Sequence, residues 1–206
     1  MTSNPWHAIV LAGGRASRLG GIDKTALRFD GMSLLEHALE GVAGATSTIV
    51  VGPEELRAVL PLGVGLVTEQ PRFGGPAAAT VTGLRALGAQ PGSRIAVVAA
   101  DLPHAGAAVR ELLTVRLLAD QVDGVVAMEA AGAAQPLLAL YDTTALTAAA
   151  RRAAATGPLA GTSMRALLAS LVLCQVQLPD ALCADIDTPE AADRHGIPLD
   201  RALSHA

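Results

Sequence analysis

Short β-branched runs alternate with Ala/Leu-rich segments of helical period along almost the whole chain, and this rhythm constrains the fold more than any other feature. Apolar residues recurring every three or four positions mark one face of a helix. Brief continuous Val/Ile runs mark strands buried on both faces. The pattern predicts strands at 8–11, 48–51, 64–68, 95–99, 124–128, 136–141 and 171–178. It predicts helices at 34–43, 54–60, 77–87, 105–119, 144–154 and 163–170, with a short closing helix after Asp187-Thr188-Pro189-Glu190. Ser33 with Glu36 three residues on has the form of a capping box. Thr188 followed by Pro189 has the form of a second helix start, Pro at the first helical position. Such alternation implies an α/β fold of three layers, Rossmann-like, with a mostly parallel sheet and helices on both faces. No composition break marks a linker and no repeat is present, so residues 1–206 are expected to form a single domain with its core at about 7–195.

Composition narrows the function classes. Hydrophobic residues make up 51% and charged residues 17%, which suits a packed chain rather than a disordered one. Aromatics are only 2%, so the core must be built from Ala, Val, Leu and Ile. The net charge of −4 gives no basic footprint for nucleic acid, and stacking platforms for single strands are missing. No apolar run reaches the roughly 18 residues of a membrane span. The N-terminus lacks a basic region followed by an apolar stretch, so no signal peptide is expected. Cys174 and Cys183 do not form a metal-ligand spacing and are expected to be reduced packing residues of a cytoplasmic protein.

The positive charge is unusual in kind. Of fifteen basic residues fourteen are arginine, and the single lysine is Lys24. It closes a glycine-rich run, Leu11-Ala12-Gly13-Gly14-Arg15-Ala16-Ser17-Arg18-Leu19-Gly20-Gly21-Ile22-Asp23-Lys24, that follows the first strand. Glycine lets backbone N–H groups approach a phosphate closely, and Lys24 and Arg18 can neutralise a polyphosphate. The run is neither a P-loop nor a dinucleotide fingerprint. The competing reading is a plain Gly-rich turn with solvated arginines. In open α/β sheets ligands bind beyond the carboxyl ends of the strands. Two further segments fall there: the loop from Glu69 to Pro76 after the third strand, and Asp101 after the fourth. A carboxylate opposite a phosphate loop suits Mg²⁺, which is held by one or two carboxylates plus substrate phosphates. The alternative for Asp101 is a helix N-cap. Asp185 and Asp187 precede the closing helix, so capping competes with a role as second metal ligand. His7 and His104 have no partners at ligand spacing and are expected to be structural. No nucleophile triad or elbow is suggested.

The run from Leu11 to Gly20 with Asp23-Lys24 resembles the LAGGxSxRMGxxK signature of the nucleotidyltransferases, and more narrowly of the molybdenum cofactor guanylyltransferases. Later segments fall in that family's order. Gly74-Gly75-Pro76 is similar to its GGPLAG loop, Asp101-Leu102-Pro103 to its DMP motif and Gln135-Pro136-Leu137 with Ala139-Leu140-Tyr141 to its QPLxALY strand. Ser163-Met164-Arg165-Ala166-Leu167-Leu168 is similar to its SLRALL helix, and Asp187-Thr188-Pro189-Glu190 to its NTPED segment. The resemblance implies a nucleotidyltransferase fold and transfer of GMP from GTP to molybdopterin. It implies that Leu11, Ala12, Gly13, Gly14, Gly75 and Pro76 line the nucleotide, that Lys24 binds its phosphates with Arg18 beside it, and that Asp101 holds Mg²⁺, with Asp187 as a second candidate. Arg165 is a candidate for the pterin phosphate. Cofactor-delivery proteins and molybdoenzymes are further implied partners.

Some residues depart from the family pattern. Glu69-Gln70 stands where an aspartate is usual, so the base or ribose contact falls to one of these two. Asp185 and Asp187 replace asparagines, Ala77-Ala78-Ala79 replaces LAG, and Leu19 replaces Met at equal volume. Alternatives are a cytidylyltransferase or sugar-phosphate nucleotidyltransferase of the same fold, or a non-catalytic GTP- or cofactor-binding module. Gly13 favours GTP, because the related cytidylyltransferases carry Ala there.

Overall fold

The computed structural model describes residues 5–13, 24–115 and 122–199. Nine strands are present among them: β1 (Trp6–Leu11), β2 (Arg28–Phe29), β3 (Met32–Ser33), β4 (Thr48–Val51), β5 (Val64–Val67), β6 (Arg94–Ala99), β7 (Gly124–Met128), β8 (Ala134–Asp142) and β9 (Leu173–Gln177). The α-helices are α1 (Leu34–Gly41), α2 (Pro76–Leu87), α3 (Ala105–Thr114), α4 (Thr143–Thr156), α5 (Met164–Leu167), α6 (Asp180–Cys183) and α7 (Pro189–Arg194). Seven strands form one sheet in the order β5-β4-β1-β6-β8-β7-β9. All neighbours pair in parallel except β8, which runs antiparallel to β6 and β7.

Alternation along β1 builds both faces of this sheet. Ala8 and Val10 enter a core with residues of α1, α3 and α6, while Ile9 and Leu11 enter a second core with residues of α2, α4 and α5. The expected three layers are therefore present. Two glycines allow close packing of the layers. A Cβ on Gly83 of α2 would come within 2.6 Å of Ile9, and one on Gly41 of α1 within 2.6 Å of the Gly106 backbone of α3.

The helix starts follow the sequence. Ser33 and Glu36 form the reciprocal capping box of α1. Thr188 caps α7 by accepting from the Ala191 N–H at 3.2 Å, with Pro189 in the first turn. Other expectations are corrected. The helix predicted at 54–60 is a 3₁₀ turn, Glu54–Ala58, and the one predicted at 163–170 is the single turn α5. The predicted helix at 105–119 is helical through Thr114, and residues 116–121 lie outside the described ones. The hairpin β2–β3 was not anticipated. Its loop is Asp30-Gly31, with φ of 50° and 85°, the paired positive angles of a two-residue hairpin turn. No helix among the described residues is long and apolar enough to cross a membrane.

Candidate active site

The carboxyl ends of β1, β4, β5 and β6 form a continuous rim. Leu11 accepts from the Ala100 N–H at 2.9 Å, and Ala12 donates to Val51 at 2.9 Å, which ties the ends of β1, β4 and β6 together. Thr68 at the end of β5 donates its hydroxyl to the Gly52 carbonyl at 2.9 Å. Gly52 in turn packs so close to Ala12 that an added Cβ would lie 3.2 Å from the Ala12 carbonyl. The three sequence segments expected at the site are thus brought to one edge.

Leu11 and Ala12 are buried, and Gly13 is exposed on the rim. Nothing among the described residues demands glycine at 13. Its φ is not in the left-handed region, and among the described residues an added Cβ would meet only the Val51 carbonyl at 3.9 Å, an ordinary contact. Gly14 and Arg18 fall outside the described residues. Lys24 opens a 3₁₀ turn, Lys24–Ala26, that leads into the hairpin.

The loop after β5 carries a second feature. Glu69 is half-buried, and its Oε2 is buried without a hydrogen-bond partner among the described residues, whereas Gln70 is exposed. An unpaired buried acceptor costs about 1–3 kcal/mol, so it marks a place where a donor belongs. The Gln70–Pro71 peptide is cis. The loop ends at Gly75, whose φ of 96° suits glycine, and Pro76 begins α2. The N-terminal end of this twelve-residue helix carries the positive pole of its dipole and free N–H groups.

Opposite stand three carboxylates. Asp101, Asp185 and Asp187 each offer an oxygen, and these oxygens all lie within 4.8 Å of one another. A backbone bond from the Ile186 N–H to the Asp101 carbonyl, 3.0 Å, locks the two segments in register. Ile186 points into the core while its neighbours at i−1 and i+1 face the other way, as an extended chain requires. The capping alternatives fall away. The residue at the N-cap of α3 is His104, which makes no side-chain cap bond, and α7 is capped by Thr188. The sequence indicated Asp101 with one of the other two; the fold gathers all three. This all-oxygen, anionic donor set fits a hard divalent cation such as Mg²⁺.

A third, small core holds the cluster against the segment that follows Lys24. Leu27 and Leu34 pack on Ile186, Ala192 and Ile197. Above them Phe29 is ringed by His37, His104 and His195, at centroid distances of 5.3, 5.3 and 6.2 Å, and His104 lies 6.0 Å from His195. His37 contacts the Phe29 carbonyl through Nε2 at 2.7 Å. Burial, then the charges of His104 and Arg194, holds the His195 pKa below its ordinary value of 6.5. The unfolded chain therefore takes up this proton first on acidification. The contribution of neutral His195 is complete above the unfolded value and is lost as pH falls from about 6.5 toward the lower folded value. Melting temperature is expected to drop between pH 7 and 5.5, and His195→Phe, which keeps a ring against Phe29, to drop less over the same range.

Arg165 is exposed on α5, whose buried Met164 packs on Thr80 of α2. It belongs to the α2–α4 layer, and the acidic cluster sits by the opposite layer. The two cysteines are unpaired, Cys183 buried and Cys174 half-buried.

Comparison with known proteins agrees with this architecture. Two bacterial proteins named molybdenum cofactor guanylyltransferase are similar in part. That of Acidiphilium cryptum (strain JF-5) is 30% identical over 101 residues, 48% of this chain and 52% of that one. That of Bordetella petrii (strain ATCC BAA-461 / DSM 12804 / CCUG 43448) is 38% identical over 78 residues, 37% and 40% of the two chains. The chain thus spans about half or less of the curated relatives it matches. Among solved structures, molybdopterin-guanine dinucleotide biosynthesis protein A from Archaeoglobus fulgidus superposes with a TM-score of 0.66 at 21% identity, covering 92% and 96%. The 2-C-methyl-D-erythritol 4-phosphate cytidylyltransferase from Thermus thermophilus superposes with a TM-score of 0.68 at 17%, covering 98% and 100%. A Mycobacterium tuberculosis H37Rv protein solved in complex with manganese gives 0.67 at 19%, covering 94% and 98%. The family model described as MobA-like NTP transferase domain matches residues 8–175, and the chain belongs to that family.

Proposed function

We propose that this chain transfers GMP from GTP to the terminal phosphate of molybdopterin, forming molybdopterin guanine dinucleotide and releasing pyrophosphate. The observation that carries the choice of base is Glu69. Guanine presents two adjacent donors, its ring N1–H and 2-amino group, and an ionised carboxylate is acceptor-only. Glu69, half-buried in the loop that follows β5, brings such a carboxylate to the rim. Cytosine offers one amino donor beside a ring acceptor, which a carboxylate disfavours. Gly13, exposed at the end of β1 and without a side chain, supports close approach of the nucleotide there. The partial likeness to named guanylyltransferases points the same way.

The acceptor phosphate is itself a competent nucleophile, so no side chain need form a covalent intermediate. Catalysis then rests on alignment and charge neutralisation. Asp101, Asp185 and Asp187 would hold a divalent cation, which when bound supplies charge stabilisation at phosphoryl oxygens. Lys24 and Arg18 would offset the charge that develops on the departing pyrophosphate, and the N-terminus of α2 would favour the anionic ligand.

A nucleotide panel tests the base assignment. With Mg²⁺ present, GTP is expected to bind at least tenfold more tightly than CTP, and Glu69→Gln to erase most of that preference. Tighter binding of CTP by the wild type would transfer the chain to the cytidylyltransferase reading.

A further inference from the structure

The Gln135-Pro136-Leu137 segment has no part in the nucleotide half of the site, yet the fold spends an irregularity on it. Neighbouring residues Val126 and Ala127 of β7 pair with Ala139 and Gln135 of β8, so three residues of β8 are left without a β7 partner between consecutive pairs. Bulges of this kind re-aim side chains and recur beside active sites. This one is clamped, because the buried Tyr141 donates its hydroxyl to the Pro136 carbonyl at 2.8 Å. Because β8 runs antiparallel, its beginning lies at the rim where β6 ends. The last β6 pair is Val98 with Leu138. Across the bulge Gln135 pairs with Ala127, one step beyond the Val126–Ala139 pair, so it stands at this same rim, level with the last residues of β6 that lead to Asp101. The Gln135 carboxamide donates one N–H to the Glu129 carboxylate, and both side chains are half-buried. Glu129 is held in turn by a tight loop, donating its N–H to Ala133 at 3.0 Å and accepting from Gly132 at 2.9 Å. Among the described residues the Gln135 side chain makes this one hydrogen bond, which leaves its oxygen and second N–H for a ligand.

The nucleotide half of the rim is made by β1, β5 and the start of α2. An in-line attack at the α-phosphorus brings the acceptor from the other side of Asp101, over β8 and β7. We infer that Gln135, oriented by Glu129, reads the ring edge of the acceptor and selects a 2-amino-4-oxopteridine. That edge presents an amino group, a ring N–H and a carbonyl in succession. The Glu129 carboxylate supplies acceptors for the two donors, and the remaining Gln135 N–H supplies the donor for the carbonyl. This inference rests on the proposed acceptor and goes beyond it, to the residues that choose the ring.

The test is binding of molybdopterin, followed by quenching of pterin fluorescence, with a fluorescent GTP analogue measured in parallel. Gln135→Ala is expected to weaken molybdopterin binding about 10- to 100-fold while the GTP analogue binds as to wild type, which also shows that the variant folds. The pair of probes pterin-6-carboxylate and its 2,4-dioxo counterpart reads the edge directly. Wild type should prefer the 2-amino compound, and Glu129→Gln, which adds a donor where the 2-oxo group lies, should lose or reverse that preference. If wild type binds molybdopterin and Gln135→Ala binds it equally well, the inference is wrong and the proposed transfer stands. If wild type binds neither molybdopterin nor either pteridine, both readings fall.

Discussion

Asp101→Ala is expected to lower the rate of pyrophosphate release by about 10²–10³-fold while the variant still folds. The size follows from what the residue does in the proposed site. It provides one of three carboxylates in mutual reach, and the loss of a single preorganised charge-stabilising group costs about 10²–10³ in turnover. The backbone contacts that place the residue survive the substitution. The fold uses the Asp101 backbone carbonyl, which accepts from Ile186, and Ala retains it. The cap position of α3 belongs to His104, and the neighbours Leu102 and Pro103 remain buried. Asp187→Ala and Asp185→Ala should each cost less than Asp101→Ala, because the end of β6 holds Asp101 at the centre of the rim. Equal release by wild type and Asp101→Ala would remove this residue from the site.

Lys24→Ala is expected to lower kcat/KM for GTP by about 10²-fold, and Lys24→Arg by about tenfold, with molybdopterin binding unchanged in both. The backbone at Lys24 is fixed from downstream. Leu27, three residues on, is 2% exposed in the small core, and its carbonyl accepts from Leu34 at 2.9 Å. Burial of each such aliphatic side chain contributes about 1.5–3 kcal/mol, so the turn that begins at Lys24 is tethered to the segment bearing Asp185 and Asp187. The two substitutions separate charge from shape. Lys is a compact ammonium and Arg a planar fork, so a site built for a point charge on a phosphate does not accept them equally. Full activity of Lys24→Arg would mean that the chain's single lysine reflects composition alone.

Much of this arrangement was legible in the sequence, for identifiable reasons. Buried parallel strands read as unbroken apolar runs, so β1, β4, β5 and β6 were readable, and with them the rim that Gly13, Glu69 and Asp101 follow. The spacing of Asp185 and Asp187 across Ile186 is the two-residue period of an extended chain. The hydrogen bond that brings them to Asp101 joins residues 85 apart, beyond the reach of any local pattern. The reversed direction of β8 was hidden, because periodicity does not record which way a strand runs. The hairpin β2–β3 announced itself only through Asp30-Gly31, since strands of two residues are too short to alternate. The cage of Phe29, His37, His104 and His195, the buried Oε2 of Glu69 and the Glu129–Gln135 pair are products of tertiary packing. Each joins or encloses residues that carry no shared signal along the chain.

Pyrophosphate release from GTP in the presence of molybdenum-loaded molybdopterin and Mg²⁺ tests the central claim most directly. Release that requires both substrates, stops on chelation of the cation and collapses in Asp101→Ala is the predicted result. Tight GTP binding by wild type with no release under the same conditions would contradict it, and would make this chain a nucleotide-binding module rather than a transferase.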